Sequence, residues 1–81
     1  MEFNPGLWQS DQNIAAIYFN QEKFALAAQY QEKAVQVNPQ DASLHYNLAA
    51  IYQKLDLKEK MDQEMQKAFD LDPKLRENSS P

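Results

Sequence analysis

The chain has 81 residues, of which 43% are hydrophobic and 11% aromatic, and its eight basic and twelve acidic side chains give a net charge of −4. This length suits one small domain with a thin core, and the acidic balance without any long run of Lys or Arg argues against nucleic acid as a partner. No apolar stretch is long enough for a membrane span, and the lack of cysteine excludes disulfides and thiolate sites, which fits a cytoplasmic protein.

A repeat of 34 residues organises the chain. The segment 13–18 (NIAAIY) returns as 47–52 (NLAAIY), and residues 8–41 share nine identical positions with residues 42–75. Ordinary residue usage would give about two identities by chance. A period of this length indicates stacked supersecondary units, so we predict two repeats, 8–41 and 42–75.

Prolines punctuate the same period. Pro5, Pro39 and Pro73 stand 34 residues apart. We therefore interpret residues 1–7 as the end of a preceding repeat or a leader, and residues 76–81 as a disordered tail.

The first unit predicts two helices, near 8–20 and 24–37. Apolar residues recur mainly at three- and four-residue spacing in both, which lines one face of a helix. The first helix contributes Ile14, Ile17 and Tyr18, and the second contributes Phe24, Ala27, Ala28, Ala34 and Val35. Pro39 ends the second helix, because proline disfavours helical geometry in the preceding residue and cannot donate to the helical ladder.

The second unit predicts helices near 42–55 and 58–71, with apolar faces at the same spacing. The residues are Leu44, Leu48, Ile51, Tyr52 and Leu55, then Leu57, Met61, Met65, Ala68 and Phe69. Asp41 is predicted as the N-cap of the first of these helices. The segment 56–59 (DLKE) resembles a capping box with Asp in place of Ser or Thr, which predicts Asp56 as a cap of the last helix.

Residues that could carry out chemistry are few. The acidic residues of the last helix alternate with basic ones, which predicts a solvated face of neighbouring opposite charges. These residues are Glu59, Asp62 and Glu64, with Lys58, Lys60 and Lys67. The single His45 has no Cys, second His or Ser nucleophile at a recognisable spacing, so we expect a packed or half-exposed imidazole rather than a metal ligand or a catalytic base. We therefore expect a protein without enzymatic activity, metal or cofactor.

The spacing resembles the tetratricopeptide repeat, a 34-residue helix-turn-helix with small residues at positions 8, 20 and 27, an aromatic residue at 11 and proline at 32. Counted from Trp8, those positions hold Ala15, Ala27, Ala34, Tyr18 and Pro39; counted from Ala42, they hold Ala49, Met61, Ala68, Tyr52 and Pro73. Position 24, usually aromatic in the family, is Gln31 in the first unit, with Tyr30 one place early. The resemblance implies an all-α fold of two tandem helix-turn-helix units, whose four antiparallel helices form a short right-handed α-solenoid fragment.

The resemblance also implies a function. In this family the first helix of each unit lines a concave groove that receives an extended peptide or a partner protein. By that resemblance the groove residues here are Gln9, Gln12, Asn13, Ala16, Phe19, Asn20, Tyr46, Asn47, Ala50 and Lys54. Asn13 and Asn47 recur one repeat apart, and their amides complement a peptide backbone, although asparagines are also tolerated on any wet helix face.

Co-chaperone members of the family hold a terminal carboxylate with basic residues and asparagines. This chain has Gln12 and Ala16 where the first repeat would supply a basic residue and an asparagine, and only Asn47 agrees. The sequence therefore does not predict a carboxylate clamp.

A structural role is the alternative hypothesis. Arrays usually need three or more repeats, and the balance of burial against ordering entropy in so small a scaffold comes out near zero. A natural fragment or an engineered repeat of this kind could dimerise or stack through uncapped ends, with Leu55, Met61, Met65 and Phe69 as the candidate contacts. The sequence leaves both hypotheses open.

Overall fold

Four α-helices make up the computed structural model, which describes residues 7–75. They are α1 (Leu7–Asn20), α2 (Phe24–Val37), α3 (Ala42–Lys54) and α4 (Lys58–Leu71), and that part of the chain contains no strand. Each helix end lies within one residue of its predicted place, and the all-α fold of two helical pairs is confirmed. Of the predicted leader, residues 1–6 lie outside the described residues, as does the predicted tail at 76–81. None of the described helices is both long and apolar enough to cross a bilayer.

The helices pack in chain order. The main contacts join α1 to α2, α3 to α4, and α2 to α3. Each repeat is thus a helical hairpin, and the second helix of the first hairpin carries the second hairpin.

Small side chains allow the paired helices to lie close together. Ala15, Ala34, Ala49 and Ala68, which occupy equivalent positions in the two repeats, are all fully or almost fully buried. A methyl group at the contact lets helix backbones approach, and close packing in such an interior leaves little free volume.

The joint between the repeats is the centre of the core. Ala27 and Ala28 of α2 pack against Leu48, Ile51 and Tyr52 of α3. Because the cluster draws on both hairpins, burial of apolar area holds the second repeat on the first.

The exposure of Ile17 contradicts the prediction that this residue belongs to the buried apolar face of α1. Its side chain is 55% exposed, whereas Ile51 at the same place in the second repeat is 3% exposed. Ile51 packs on α2 of the first repeat, but no described element covers the corresponding side of α1. Ile17 also lies about 200° around the helix from the buried Ala15, so it faces away from α2.

The two turns within the hairpins have the same geometry. Glu22 and Asp56, which are 34 residues apart, have φ values of 62° and 64°, in the left-handed region. The backbone N–H of Lys23 donates to the Tyr18 carbonyl at 2.9 Å, and that of Leu57 donates to the Tyr52 carbonyl at 3.0 Å. The N–H of Glu22 also donates to the Phe19 carbonyl at 3.0 Å, and that of Asp56 to the Gln53 carbonyl at 3.1 Å, so each turn is a Schellman motif.

This geometry makes the predicted capping box at Asp56 wrong. The residue before α4 is Leu57, and no side chain caps that helix. Asp56 instead terminates α3 in a left-handed conformation, so its carboxylate cannot also occupy the N-cap position of α4.

The turn between the repeats follows the prediction. The Asp41 side chain accepts a hydrogen bond from the Ser43 backbone N–H at 2.9 Å and so caps α3. Asn38, before Pro39, has φ −134° and ψ 70°, and Asp72, before Pro73, has φ −144° and ψ 89°. The C-caps of α2 and α4 are therefore the residues immediately before a proline, where helical geometry is disfavoured.

Candidate functional site

A groove runs between the first helices of the two repeats and encloses about 240 Å³. We call it the α1–α3 groove. Its walls come from three helices: Gln12, Ala15, Ala16 and Phe19 of α1, Gln31 of α2, and Asn47, Ala50 and Ile51 of α3. Both repeats therefore contribute to one concave site.

Small residues keep this groove open. Ala16 and Ala50, which are equivalent residues of the two repeats, line it from opposite helices. Phe19 forms an apolar wall, and its ring is held edge-on against Phe24 with centroids 5.3 Å apart. Edge-to-face contacts of this kind fix the ring orientation, so the wall is preorganised.

Three carboxamides supply the polar surface of the groove. They belong to Gln12, Gln31 and Asn47, and no Lys, Arg, Asp or Glu lines this site among the described residues. The groove is thus uncharged on its inner surface and carries both donors and acceptors.

Gln31 is the buried member of that set. Its side chain is 1% exposed, and its Nε2 donates to the Leu44 carbonyl of α3 at 3.0 Å. In the sequence, Gln31 stands out only because it occupies a position that is usually aromatic in the family. An amide on an otherwise apolar helical face could have indicated a buried hydrogen bond, because a buried amide must find a partner.

Gln12 holds an unsatisfied acceptor. Its Oε1 is inaccessible to solvent, and no hydrogen-bond donor reaches it from the described residues. Native proteins pair the large majority of buried polar side-chain atoms, so an unpaired one needs a physical reason.

The structure brings together five of the ten residues predicted for the groove. Those lining it are Gln12, Ala16, Phe19, Asn47 and Ala50; Gln9, Asn13, Asn20, Tyr46 and Lys54 do not line it. Asn13 is exposed one residue beyond Gln12, so Asn13 and Asn47 do not form a matched pair inside this volume. Ala15, Gln31 and Ile51 were absent from the predicted set.

A second cleft, of about 190 Å³, lies where α2 meets α3 and α4 and contains two carboxylates. The Tyr52 hydroxyl donates to Glu32 of α2. Burial raises the pKa of the Tyr52 phenol far above its ordinary value of about 10, and the hydrogen bond to Glu32 with the charges of Glu32 and Glu64 raises this pKa further. The phenol is therefore a fixed hydrogen-bond donor.

His45 is buried, which agrees with the prediction, but its contact with Glu64 contradicts the prediction that Glu64 lies on a solvated face. His45 Nδ1 forms a hydrogen bond with the Glu64 carboxylate of α4 at 2.7 Å, and its Nε2 forms one with the Pro39 carbonyl at 2.8 Å. Glu64 also accepts from Lys67 at 3.5 Å, and its side chain is largely buried rather than part of a solvated face. Spacing within α4 revealed Lys67 but not His45, which lies on another helix.

A third depression, of about 450 Å³, lies around the turn between the repeats and the end of α4. It includes the start of α3, where helix N–H groups would attract an anion. The side chain of Asp41 already accepts from Ser43 there, and its carbonyl accepts from Leu44. Two of the N–H groups at the start of α3 are therefore already paired within the protein.

Two of the four residues predicted for self-association pack against the core, and the other two lie half-buried on α4. Leu55 and Met61 pack against the core cluster, so part of their surface is already used. Met65 and Phe69 are half-buried on α4.

Comparison with protein families agrees with this architecture. Two family models, both described as tetratricopeptide repeat, match residues 12–41 and 30–67. Together the matches cover 12–67, more than two thirds of the chain. A search of curated proteins found no match to this chain.

Proposed function

Because the chain belongs to the tetratricopeptide repeat family, whose repeats generally mediate protein–protein interactions without catalysis, we propose that it binds an extended peptide segment of a partner protein in the α1–α3 groove. The observation that carries the proposal is the shared groove itself. Ala16 and Ala50 leave about 240 Å³ open between first helices that belong to different repeats.

The chemistry of the groove suits a peptide backbone. Main-chain amides present alternating donors and acceptors, and the carboxamides of Gln12 and Asn47 offer both kinds of group. Phe19 and Ile51 provide apolar area for side chains. A few polar groups set in an apolar concave surface are the usual composition of a binding site.

Blocking the groove tests this function. Random peptides displayed on phage are selected on the purified protein, and the affinities of enriched peptides are measured for wild type and Ala16→Phe. Ala16 is exposed and lines the groove, so a phenyl group there fills binding space without entering the core. We expect affinity to fall at least about tenfold, equivalent to about 1.4 kcal/mol.

Ala25→Phe is the matched control, because Ala25 is an exposed alanine on α2 outside the groove. It should bind like wild type. Equal affinities of all three proteins, or no enriched peptide at all, would contradict the proposal.

Self-assembly is the second candidate, and the exposed apolar surface of α4 favours it. Leu57, just before that helix, is 40% exposed, and Leu71 at its end is 39% exposed; Met65 and Phe69 are half-buried along it. Partial exposure of several apolar residues is typical of surfaces that meet a partner. Under this proposal two copies associate through α4, with Met61 and Leu55 at the edge of the contact.

Sedimentation measures this association directly. A dimer that grows with concentration in the micromolar range, and that Met65→Glu abolishes while the exposed-site control Gln63→Glu does not, would support assembly. A folded monomer across that range would rule it out.

A further inference from the structure

The unpaired oxygen of Gln12 is the feature of the groove that points to a particular ligand. Gln12 Oε1 is shielded from solvent and has no partner within the described residues, yet Gln12 lines the α1–α3 groove. A buried acceptor without a donor is costly, whereas a ligand that brings a donor removes that cost.

The charge of the groove narrows the choice of ligand. Its described lining residues include no basic side chain that could pair with a carboxylate and no acidic one that could pair with an ammonium group. Burying an unpaired charge is far more costly than burying a hydrogen-bonded neutral group. The ligand group must therefore be uncharged.

The neighbouring carboxamide narrows the choice further. Asn47 lines the same groove from α3, and it has both donors and an acceptor to offer. An indole or an alcohol supplies one donor, but a primary amide supplies two donors and an acceptor. The Gln12 side chain can rotate to present its oxygen or its nitrogen, and an amide ligand pairs with either.

We infer that the α1–α3 groove selects a peptide carrying a glutamine or asparagine side chain, which inserts between Gln12 and Asn47. As the ligand binds, the Gln12 amide turns its solvent-shielded oxygen toward the groove. The ligand amide then donates to Gln12 Oε1 and exchanges hydrogen bonds with Asn47, while its methylene groups lie against Ala16, Ala50 and Phe19. This inference rests on the proposed peptide-binding function and names the side chain that the groove recognises.

Three capped pentapeptides of the form acetyl-Ala-Ala-X-Ala-Ala-amide test the inference, with X as Gln, Glu or Met. Glu has nearly the same shape as Gln with a charge, and Met has a similar length without polar hydrogens. Each peptide is titrated into uniformly ¹⁵N-labelled protein, and the side-chain amide signals of Gln12, Gln31 and Asn47 are followed. We expect saturable shifts with the Gln peptide, and affinities at least about tenfold lower for the Glu and Met peptides.

A protein variant isolates the role of Gln12. Gln12→Met keeps the approximate shape of the side chain and removes the acceptor, so the Gln peptide should then bind no better than the Met peptide. Gln63→Met, at an exposed position on α4, should leave the preference unchanged. Thermal unfolding of both variants checks that the fold is retained.

The possible results separate this inference from the broader function. If the Glu or Met peptide bound as tightly as the Gln peptide, selection of an amide would be wrong while peptide binding in the groove would stand. Retention of the Gln preference by Gln12→Met would likewise overturn the role of Gln12. If no peptide moved the three amide signals at millimolar concentration, the amide site would be rejected, and the Ala16→Phe comparison would judge the groove independently.

Discussion

Replacing Glu22 with glycine should stabilise the protein. Glu22 has φ 62°, and a left-handed conformation costs a residue with a Cβ about 1–2 kcal/mol, while glycine in return loses about 0.5–1 kcal/mol more backbone entropy on folding. The expected net gain in the free energy of unfolding is about 0.5–1 kcal/mol. Asp56→Gly, at the equivalent turn with φ 64°, should gain less, because aspartate tolerates this region better than glutamate.

Urea unfolding followed by circular dichroism measures the effect, with Glu22→Ala as the control. Alanine removes the carboxylate but keeps the Cβ, so it should bring no comparable gain. The two turns lie in different hairpins, so the double glycine variant should show nearly additive gains. Each 1 kcal/mol corresponds to an increase of about 4–8 °C in melting temperature for a domain of this size. If Glu22→Ala stabilised as much as Glu22→Gly, or if glycine destabilised the protein, backbone strain would be the wrong explanation.

Three further changes probe the core, a helix cap and the buried phenol. Ala49→Leu should lower the free energy of unfolding by about 1–3 kcal/mol, because Ala49 is fully buried and leaves no room for a larger side chain. Asp41→Ala should cost about 1 kcal/mol in chemical denaturation, because the Ser43 N–H loses its acceptor, whereas Asp41→Asn should cost much less. Above about pH 10 the Tyr52 phenol loses its proton in the unfolded chain but keeps it in the folded one, since folding raises its pKa; stability should therefore fall with rising pH, less steeply in Tyr52→Phe.

Each of these has a result that would count against it. A leucine tolerated at Ala49 without loss would mean that the paired helices are not in close contact there. Equal stabilities of Asp41→Ala and Asp41→Asn would show that the Asp41 side chain does not stabilise α3 as a cap. Parallel profiles of stability against pH for wild type and Tyr52→Phe would show that ionisation of the phenol is not linked to folding.

Local chemistry explains why the helix ends could be read from the sequence. Pro39 and Pro73 act on the residue immediately before them, and Asp41 caps through a backbone group two residues away. Such interactions involve only a few consecutive residues, so they are visible in the sequence. The repeat also predicts which helices pack in pairs, because alanines at matched positions become fully buried only where two helices approach closely.

Contacts between helices explain what the sequence could not reveal. Glu64 looked like part of a solvated face because only the lysines of its own helix are visible in the spacing, while His45 approaches from α3. Ile17 and Ile51 have the same residue type at the same repeat position, yet only Ile51 has a preceding hairpin to pack against among the described residues. At Asp56 the local pattern fitted a cap, but termination of α3 required the left-handed conformation.

The candidate groove was predictable in part for the same reason. Helical spacing and the family resemblance placed Ala16 and Ala50 on one side of their helices, and both line the groove. Gln31 also lines the groove but belongs to the second helix of its repeat. The family resemblance assigns groove positions only to the first helices, so it could not predict Gln31 there. Binding by any of these residues stays a prediction until the groove is tested.

The hydrogen bond from Gln31 to the Leu44 carbonyl crosses from one repeat to the next. In a stack of repeats, stability divides into the intrinsic stability of each unit and the coupling between neighbours, and this bond belongs to the coupling. Gln31 also forms part of the groove, so a ligand there meets a side chain whose position depends on the docking of the two hairpins. If the groove binds a peptide as proposed, ligand binding and hairpin docking should be reciprocally linked: the ligand would stabilise the docked hairpins, and a variant that weakens the joint would lower ligand affinity by the same coupling free energy.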